Sequence, residues 1–352
     1  MSHSKPAKPT LTVIVPALRE AEFTRYLADS SSVLRILMSS QRESVDIHCA
    51  EQAVVHYQGY ASVNTTEVPA GLCGWQAHGK GAATENYIAC ADPAFVKAEP
   101  DHASIHSAAA LSLSRLEAEH MVAGLNSHFE ADTDYRFHLG EDWRWYLSGL
   151  DGEALKAEPL SLVADRNVVS FLDPMQQPVE WRQLFNEIQM VLHSLPVNAE
   201  RMERGLQPIN SLWLWGGHPL PQRSSAPELL CFADDAFSRG LSELSSIECF
   251  PLQEAMQKPD QSGLVSARFL EMLLLQQAVE LPGAAESSLH GESVDDAANR
   301  IKEGFTLLDQ LLAWGMKRLA RGYLGEIHLL ACNGELLRMR RIDLFRFWSR
   351  KR

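Results

Sequence analysis

Residues 181–217 read WRQLFNEIQMVLHSLPVNAERMERGLQPINSLWLWGG, and this stretch decides the fold class. Trp181, Leu184, Phe185, Ile188, Leu192 and Leu195 recur at helical spacing and form one apolar stripe. Pro196 ends that helix, because the residue before a proline is pushed out of the α region. A short helical turn over 198–204 stops at Gly205. Ile209 to Trp215 then alternates as a strand, with Leu212 and Leu214 on one face and Trp213 and Trp215 on the other. Gly216-Gly217 closes it. An amphipathic helix leading into a buried strand is the unit of layered α/β and α+β architectures.

The same reading extends in both directions. LTVIV at 11–15 is a β-branched run stopped by Pro16, a buried first strand, and helical patterning follows over 20–38. Residues 61–84 are rich in Gly, Thr and small side chains and read as loop. Asp92-Pro93 is turn chemistry opening a strand to Glu99, and after a turn at Pro100-Asp101 a second extended run reaches Leu113. Ser114-Arg115-Leu116-Glu117 has the capping-box form and predicts a helix to Phe129, followed by a polar turn and an aromatic strand at 143–147. Residues 150–178 read as a linker. Helices are expected over 264–280 and 294–320, then a hairpin pairing 326–330 with 336–344 about Asn333-Gly334. The expected fold is α/β: a mostly parallel sheet flanked by helices, with an antiparallel C-terminal hairpin. Residues 1–87 would form the N-terminal part of this domain and 88–352 its core, the whole being one continuous domain or two parts.

The chain has 352 residues, 45% hydrophobic and 22% charged, which excludes wholesale disorder and fibrous architecture. No run of 18 apolar residues suggests a membrane span. Six cysteines lie far apart with no CxxC pair, a usage that suits the reducing cytoplasm. The net charge is −13, yet the last 15 residues hold seven bases and one acid, +6, which leaves −19 for the remainder. A body this acidic is not expected to coat nucleic acid, and only the basic tail offers such a surface. In the plainer alternative that tail is a terminal strand whose arginines pair with surface carboxylates.

Polar residues concentrate around the 181–217 unit. Asn186, Met190 and His193 share a second helix face, with Glu187 beside them, and the connection adds Asn198, Glu200, Arg201 and Arg204. Asn210, Trp213, Trp215, Gly216, Gly217 and His218 follow. Guanidinium donors, glycine amides and an indole wall make an anion or phosphate pocket at a strand end. The alternative is a capped helix with a structural Arg–Glu pair and two core tryptophans. Metal candidates are weak. Asp101, His102 and His106 would converge only if helical. His290-Gly291-Glu292 with Asp295-Asp296 offers oxygen and imidazole donors suited to Zn or Mn, although the two aspartates also suit a helix N-terminus. No nucleophile elbow, Walker A, Rossmann or HExxH motif occurs.

From about residue 88 onward the chain resembles the RpfE-type regulatory proteins of proteobacteria, often described as phosphoglycerate mutase-like. The resemblance lies in ADPAFVKAE, LNSHF, WRWYL, the stretch from Phe185 to Gly217, and DLFRFW. It implies a distant tie to the cofactor-independent phosphoglycerate mutases of the alkaline-phosphatase superfamily, and hence an alkaline-phosphatase-like sheet. There, the strand from Asn210 to Gly217 and the loop at His290 have similar counterparts. That superfamily uses two metals, an aspartate after the first strand, a Ser or Thr nucleophile and late Asp-His ligands. Here the first strand ends Val15-Pro16-Ala17, and no late Asp-His pair occurs. The expectation is a cytoplasmic regulatory or ligand-binding protein on a catalytically degenerate scaffold, with no cofactor, whose target is a small anion or a protein. One alternative is an active phosphomutase or phosphatase holding Zn or Mn through Asp101, His102, His218 and His290. The other is an interaction module docking through its basic tail.

Overall fold

A computed structural model of the chain describes residues 8–16, 40–80, 87–98, 103–107, 111–141, 143–150, 156–163, 179–257, 262–266 and 294–344. The expected helix over 20–38, most of the 150–178 linker, Asp101, His102, His290 and the tail from Phe345 lie outside these residues. The chain folds as two compact units interleaved along the sequence: residues 1–62, 223–271 and 299–352 form the first, residues 63–222 and 272–298 the second. Residue 87, where the sequence reading divides an N-terminal part from a core, lies within the second.

The first unit is built on a seven-stranded sheet ordered β2-β12-β11-β1-β10-β8-β9. Its strands are β1 (Thr10–Ile14), β2 (Gln41–Ser44), β8 (Leu230–Phe232), β9 (Cys249–Phe250), β10 (Gly263–Ser266), β11 (Glu326–Leu330) and β12 (Glu335–Arg340). β11, β1, β10, β8 and β9 run parallel, while β12 and β2 add antiparallel pairings at one edge. This is the mostly parallel α/β sheet with its antiparallel hairpin. β1 sits centrally with Leu11, Val13 and Ile14 buried, as a strand covered on both faces requires. The hairpin turn places Cys332 and Gly334 at positive φ. Arg338 and Arg340 point from β12 to Glu43 (3.0 Å) and Glu326 (2.9 Å), so the described start of the basic segment is an ion-paired strand. Helices α1 (Ala50–Tyr57), α7 (Ala236–Leu244) and α8 (Val294–Arg321) belong to this part of the chain or reach into it. α8 buries Phe305, Leu308, Leu311, Leu312 and Leu319 along one stripe.

The second unit is antiparallel. Its strands are β3 (Ala89–Ala98), β4 (Ala103–Ser107), β5 (Arg136–Glu141), β6 (Arg144–Ser148) and β7 (Ser211–Trp215). β3 carries β7 on one edge, and β6 and β4 on the other. Among the described residues five helices accompany them: α2 (Ala70–Ala77), α3 (Arg115–Phe129), α4 (Leu160–Val163), α5 (Val179–Ser194) and α6 (Pro196–Glu203). Cys90, Tyr146, His138 and Trp215 are cross-strand partners and share a face, on which α2 packs. The opposite face, with Phe137 against Phe129, is covered by α3, and α5 lies against β7.

Several expectations are corrected. The 61–84 stretch contains helix α2, whose small residues are a packing requirement: a Cβ at Gly71 would lie 1.8 Å from the Ile88 carbonyl oxygen. Residues 264–266, expected to begin a helix, lie in β10 (Gly263–Ser266); the rest of 264–280 lies outside the described residues. β7 pairs antiparallel with β3, so Gly216-Gly217 does not lie at the carboxyl edge of a parallel sheet. Asp92-Pro93, read as a turn opening a strand, lies within β3, and the linker at 150–178 contains helix α4. The capping box at α3 is borne out: Ser114 Oγ accepts from the Glu117 amide, and the Glu117 carboxylate accepts from the Ser114 amide.

On α5, Leu184, Ile188 and Leu192 are buried, whereas Phe185 is only half-buried. Ile188→Ala should therefore cost about 2–4 kcal/mol in urea unfolding, from lost burial plus a cavity. A near-neutral result would mean that α5 does not pack through this stripe.

Candidate functional site

The residues expected to line an anion pocket do not converge on one. Asn186, Glu187 and His193 lie exposed on the outer face of α5 with Met190, which is 72% exposed. Asn198 is buried and spans two backbones: its Nδ2 donates to the Leu192 and Ile209 carbonyls (2.7 and 2.8 Å), and its Oδ1 accepts from the Ile209 amide (2.9 Å). Asn210 likewise pins β7 to β3 through the Val96 amide and carbonyl (2.7 and 2.9 Å). Trp213 is buried and donates from Nε1 to the Glu158 carbonyl at 2.8 Å.

Arg201 is the clearest correction. Its side chain is fully buried, with Nη1 2.9 Å from Glu117, Nη2 donating to the Leu111 carbonyl at 2.6 Å and Nε to the Gln207 carbonyl at 3.0 Å. Arg204, half-exposed, closes on the other oxygen of Glu117. Burial works to raise the Glu117 carboxyl, but the Ser114 amide and the two guanidiniums outweigh it and hold it below the usual carboxylate range. Arg201 and Glu117 are thus a buried structural pair, and the guanidinium spends four hydrogen bonds on acceptors within the protein.

Gly216 has φ +66°, and its carbonyl accepts from the Gly71 amide at 2.9 Å; a Cβ there would lie 2.6 Å from that of Ala70. Gly216 thus serves close packing of β7's end against α2, while a Cβ at Gly217 would lie 3.3 Å from that of Ala89 on β3. His218 follows, with its ring held below the usual histidine range by burial, opposed by the charge of Glu67. Its Nε2 is buried without a hydrogen-bond partner. His106 lies on β4, stacked on Phe95, so this stretch is extended. Asp295 and Asp296 lie in the first turn of α8. Among the described residues no three His, Cys, Asp or Glu side chains gather as a metal ion requires.

The polar constellation that does form lies beneath α2. Asp92, 1% exposed, is ion-paired to Arg144 Nε at 2.7 Å and accepts from Trp215 Nε1 at 2.7 Å. The Arg144 guanidinium lies over the rings of Trp143 and Trp215, 5.1 and 5.2 Å from their centroids, a desolvated cation–π arrangement. Two residues along β6, the Tyr146 hydroxyl meets His78 Nδ1 at 2.7 Å, and His78 Nε2 meets Glu141 at 3.2 Å. A carboxylate only accepts, so Nε2 donates to Glu141, and the phenol faces the other ring nitrogen. Burial pushes the Tyr146 phenol well above its usual value, so it keeps its proton. Gly74 makes room, since a Cβ there would meet the Tyr146 hydroxyl at 2.3 Å. The result is a hydrogen-bonded line from the half-exposed Glu141 to a buried phenol.

Sequence reasoning missed this network because Asp92 reads as turn chemistry beside Pro93 and His78 falls in an apparent loop. The available signal was the alternation in Trp143-Arg144-Trp145-Tyr146, which puts Arg144 and Tyr146 on one face.

No family model matches the chain. Over 117 residues, 33% of its length, it is 25% identical to a probable 2,3-bisphosphoglycerate-independent phosphoglycerate mutase of Geobacter sulfurreducens, covering 29% of that protein. Over 131 residues it is 25% identical to the 2,3-bisphosphoglycerate-independent phosphoglycerate mutase of Methanosarcina barkeri, covering 33% of it. The similarity therefore spans about a third of these relatives' length. Among solved structures, the chain aligns over 95% of its length with a cofactor-independent phosphoglycerate mutase from Thermoplasma acidophilum, covering 90% of that chain (13% identity, TM-score 0.40). It also aligns over 95% with the PH0037 protein from Pyrococcus horikoshii, covering 88% of that chain (11% identity, TM-score 0.43).

Proposed function

We propose that the protein is a cytoplasmic regulatory or ligand-binding protein of the RpfE type, on a phosphoglycerate-mutase-like scaffold that no longer carries metal-dependent phosphoryl transfer. The partial similarity to two phosphoglycerate mutases supports the scaffold. One observation carries the loss of chemistry: the use made of the acids at the carboxyl edge of the parallel sheet. In-line phosphoryl transfer needs cations, and cations need carboxylates free to hold them. β1 is followed by Val15-Pro16, with no carboxylate. Asp235, after β8, is the N-cap of α7: one oxygen accepts from the Ser238 amide at 2.8 Å and the other from the Ser266 hydroxyl at 3.0 Å. Asp234 accepts from the Leu252 amide at 3.3 Å. These described donors do not fit a two-metal site.

The target is a small anion or a protein partner, met at the outer face of α5, where Asn186, Glu187, Met190 and His193 are exposed together. The rival, an active phosphomutase or phosphatase, makes a different forecast. Purified protein with added Mn or Zn should neither interconvert 2- and 3-phosphoglycerate nor hydrolyse p-nitrophenyl phosphate. Turnover that rises with metal concentration would overturn the proposal.

A further inference from the structure

In the first unit, Cys231 on β8 and Cys249 on β9 are direct partners in a parallel pairing. Parallel neighbours lie about 4.8 Å apart, within the roughly 4.4–6.8 Å Cα separation that a disulfide spans. The register is firmly set. The Cys231 amide donates to the Glu248 carbonyl at 2.9 Å, the Ala233 amide to the Phe250 carbonyl at 3.0 Å, and the Phe232 and Phe250 rings meet at 6.0 Å. Each thiol is close enough to the other and to Ser242 to perturb its ionisation, and the Ser242 hydroxyl accepts from Gln58 Nε2 at 2.7 Å and donates to the Ser238 carbonyl at 2.7 Å. Cys231 is buried, while Cys249 is partly open to solvent on a two-residue edge strand. One thiol is thus reachable, and its partner waits behind it.

We propose that Cys231 and Cys249 are a modification site: a thiol pair that closes to a reversible disulfide on reaction with a hydroperoxide. The Cys249 thiolate attacks the peroxide, breaking the O–O bond to give a sulfenic acid and releasing an alcohol or water. Cys231 then attacks the sulfenic sulfur; the S–S bond forms as the S–O bond breaks, and water leaves. Two electrons pass from the dithiol to the peroxide, and a dithiol reductant restores both thiols by exchange. The neighbouring Cys231 holds the Cys249 thiol below its usual range, while Cys231 itself is pushed up, which fits Cys249 as the attacking sulfur. Closure would tie the edge strand to β8.

The test uses the full chain, folded by circular dichroism, treated with hydrogen peroxide, trapped with iodoacetamide and mapped without reduction. The expected result is a peptide pair joined through Cys231 and Cys249, about 2 Da lighter than the sum of its thiol forms, with alkylatable thiols falling from six to four and recovering on dithiothreitol treatment. In Cys231→Ser, Cys249 should stop at a sulfenic acid that dimedone traps. A wild-type map in which both cysteines remain alkylatable, or in which other cysteines are joined, overturns the proposal.

Discussion

Arg201→Ala is expected to destabilise the protein by about 3–5 kcal/mol, because it leaves the Glu117 carboxylate buried without its principal counter-charge. Arg201 is 0% exposed and joins α6 to α3 and to the backbone at Leu111. Arg204→Ala removes a half-exposed head from the same carboxylate and should cost no more than about 1 kcal/mol. The contrast checks the assignment: urea midpoints that fall equally for both would place Arg201 at the surface. Pairing Arg201→Ala with Glu117→Leu should recover part of the loss, since no unpaired charge then remains. The pH dependence has a definite sign. The folded Glu117 carboxyl lies below its ordinary value of 4.5, so its contribution is complete above that pH and lost as pH falls through the lower folded value. Arg201→Ala should flatten this acid limb.

Asp92→Ala is the second large effect, also about 3–5 kcal/mol. It strips the counter-charge from Arg144, whose side chain is only 11% exposed, and the acceptor from the Trp215 indole. Trp215 is fully buried and is one of eight tryptophans, so its emission is read as the difference between the parent and a Trp215→Phe background. Asp92→Asn keeps an acceptor but not the charge and should fall between Asp92→Ala and the parent. An Asp92→Ala protein with unchanged stability and emission would show that the pair beneath α2 carries no energy.

These two clusters also show what was legible in the sequence. The capping box at Ser114 and Glu117, the stop at Pro196 and the turn at Asn333-Gly334 are local rules, and the chain obeys them within a residue or two. The hydrophobic runs in β1 and β11 reveal a buried sheet for the same reason. Partnership over distance is not local. Nothing near Arg201 says that it is buried, because its partner Glu117 lies 84 residues away and reads as a cap. Strand Ser211–Trp215 reads as buried, but its antiparallel pairing with β3 depends on long-range topology. α2 was hidden because glycines that permit contact with β3 and Tyr146 look like loop composition. Glu141, His78 and Tyr146 come from three separate elements, and only their assembly makes a site.

The most direct test of the proposed loss of phosphoryl transfer is metal content. Protein purified without chelator and dialysed into metal-free buffer is expected to retain less than about 0.1 Zn or Mn per chain, because both oxygens of Asp235 at the sheet edge are held by the Ser238 amide and the Ser266 hydroxyl. Near-stoichiometric Zn or Mn surviving that dialysis would contradict it.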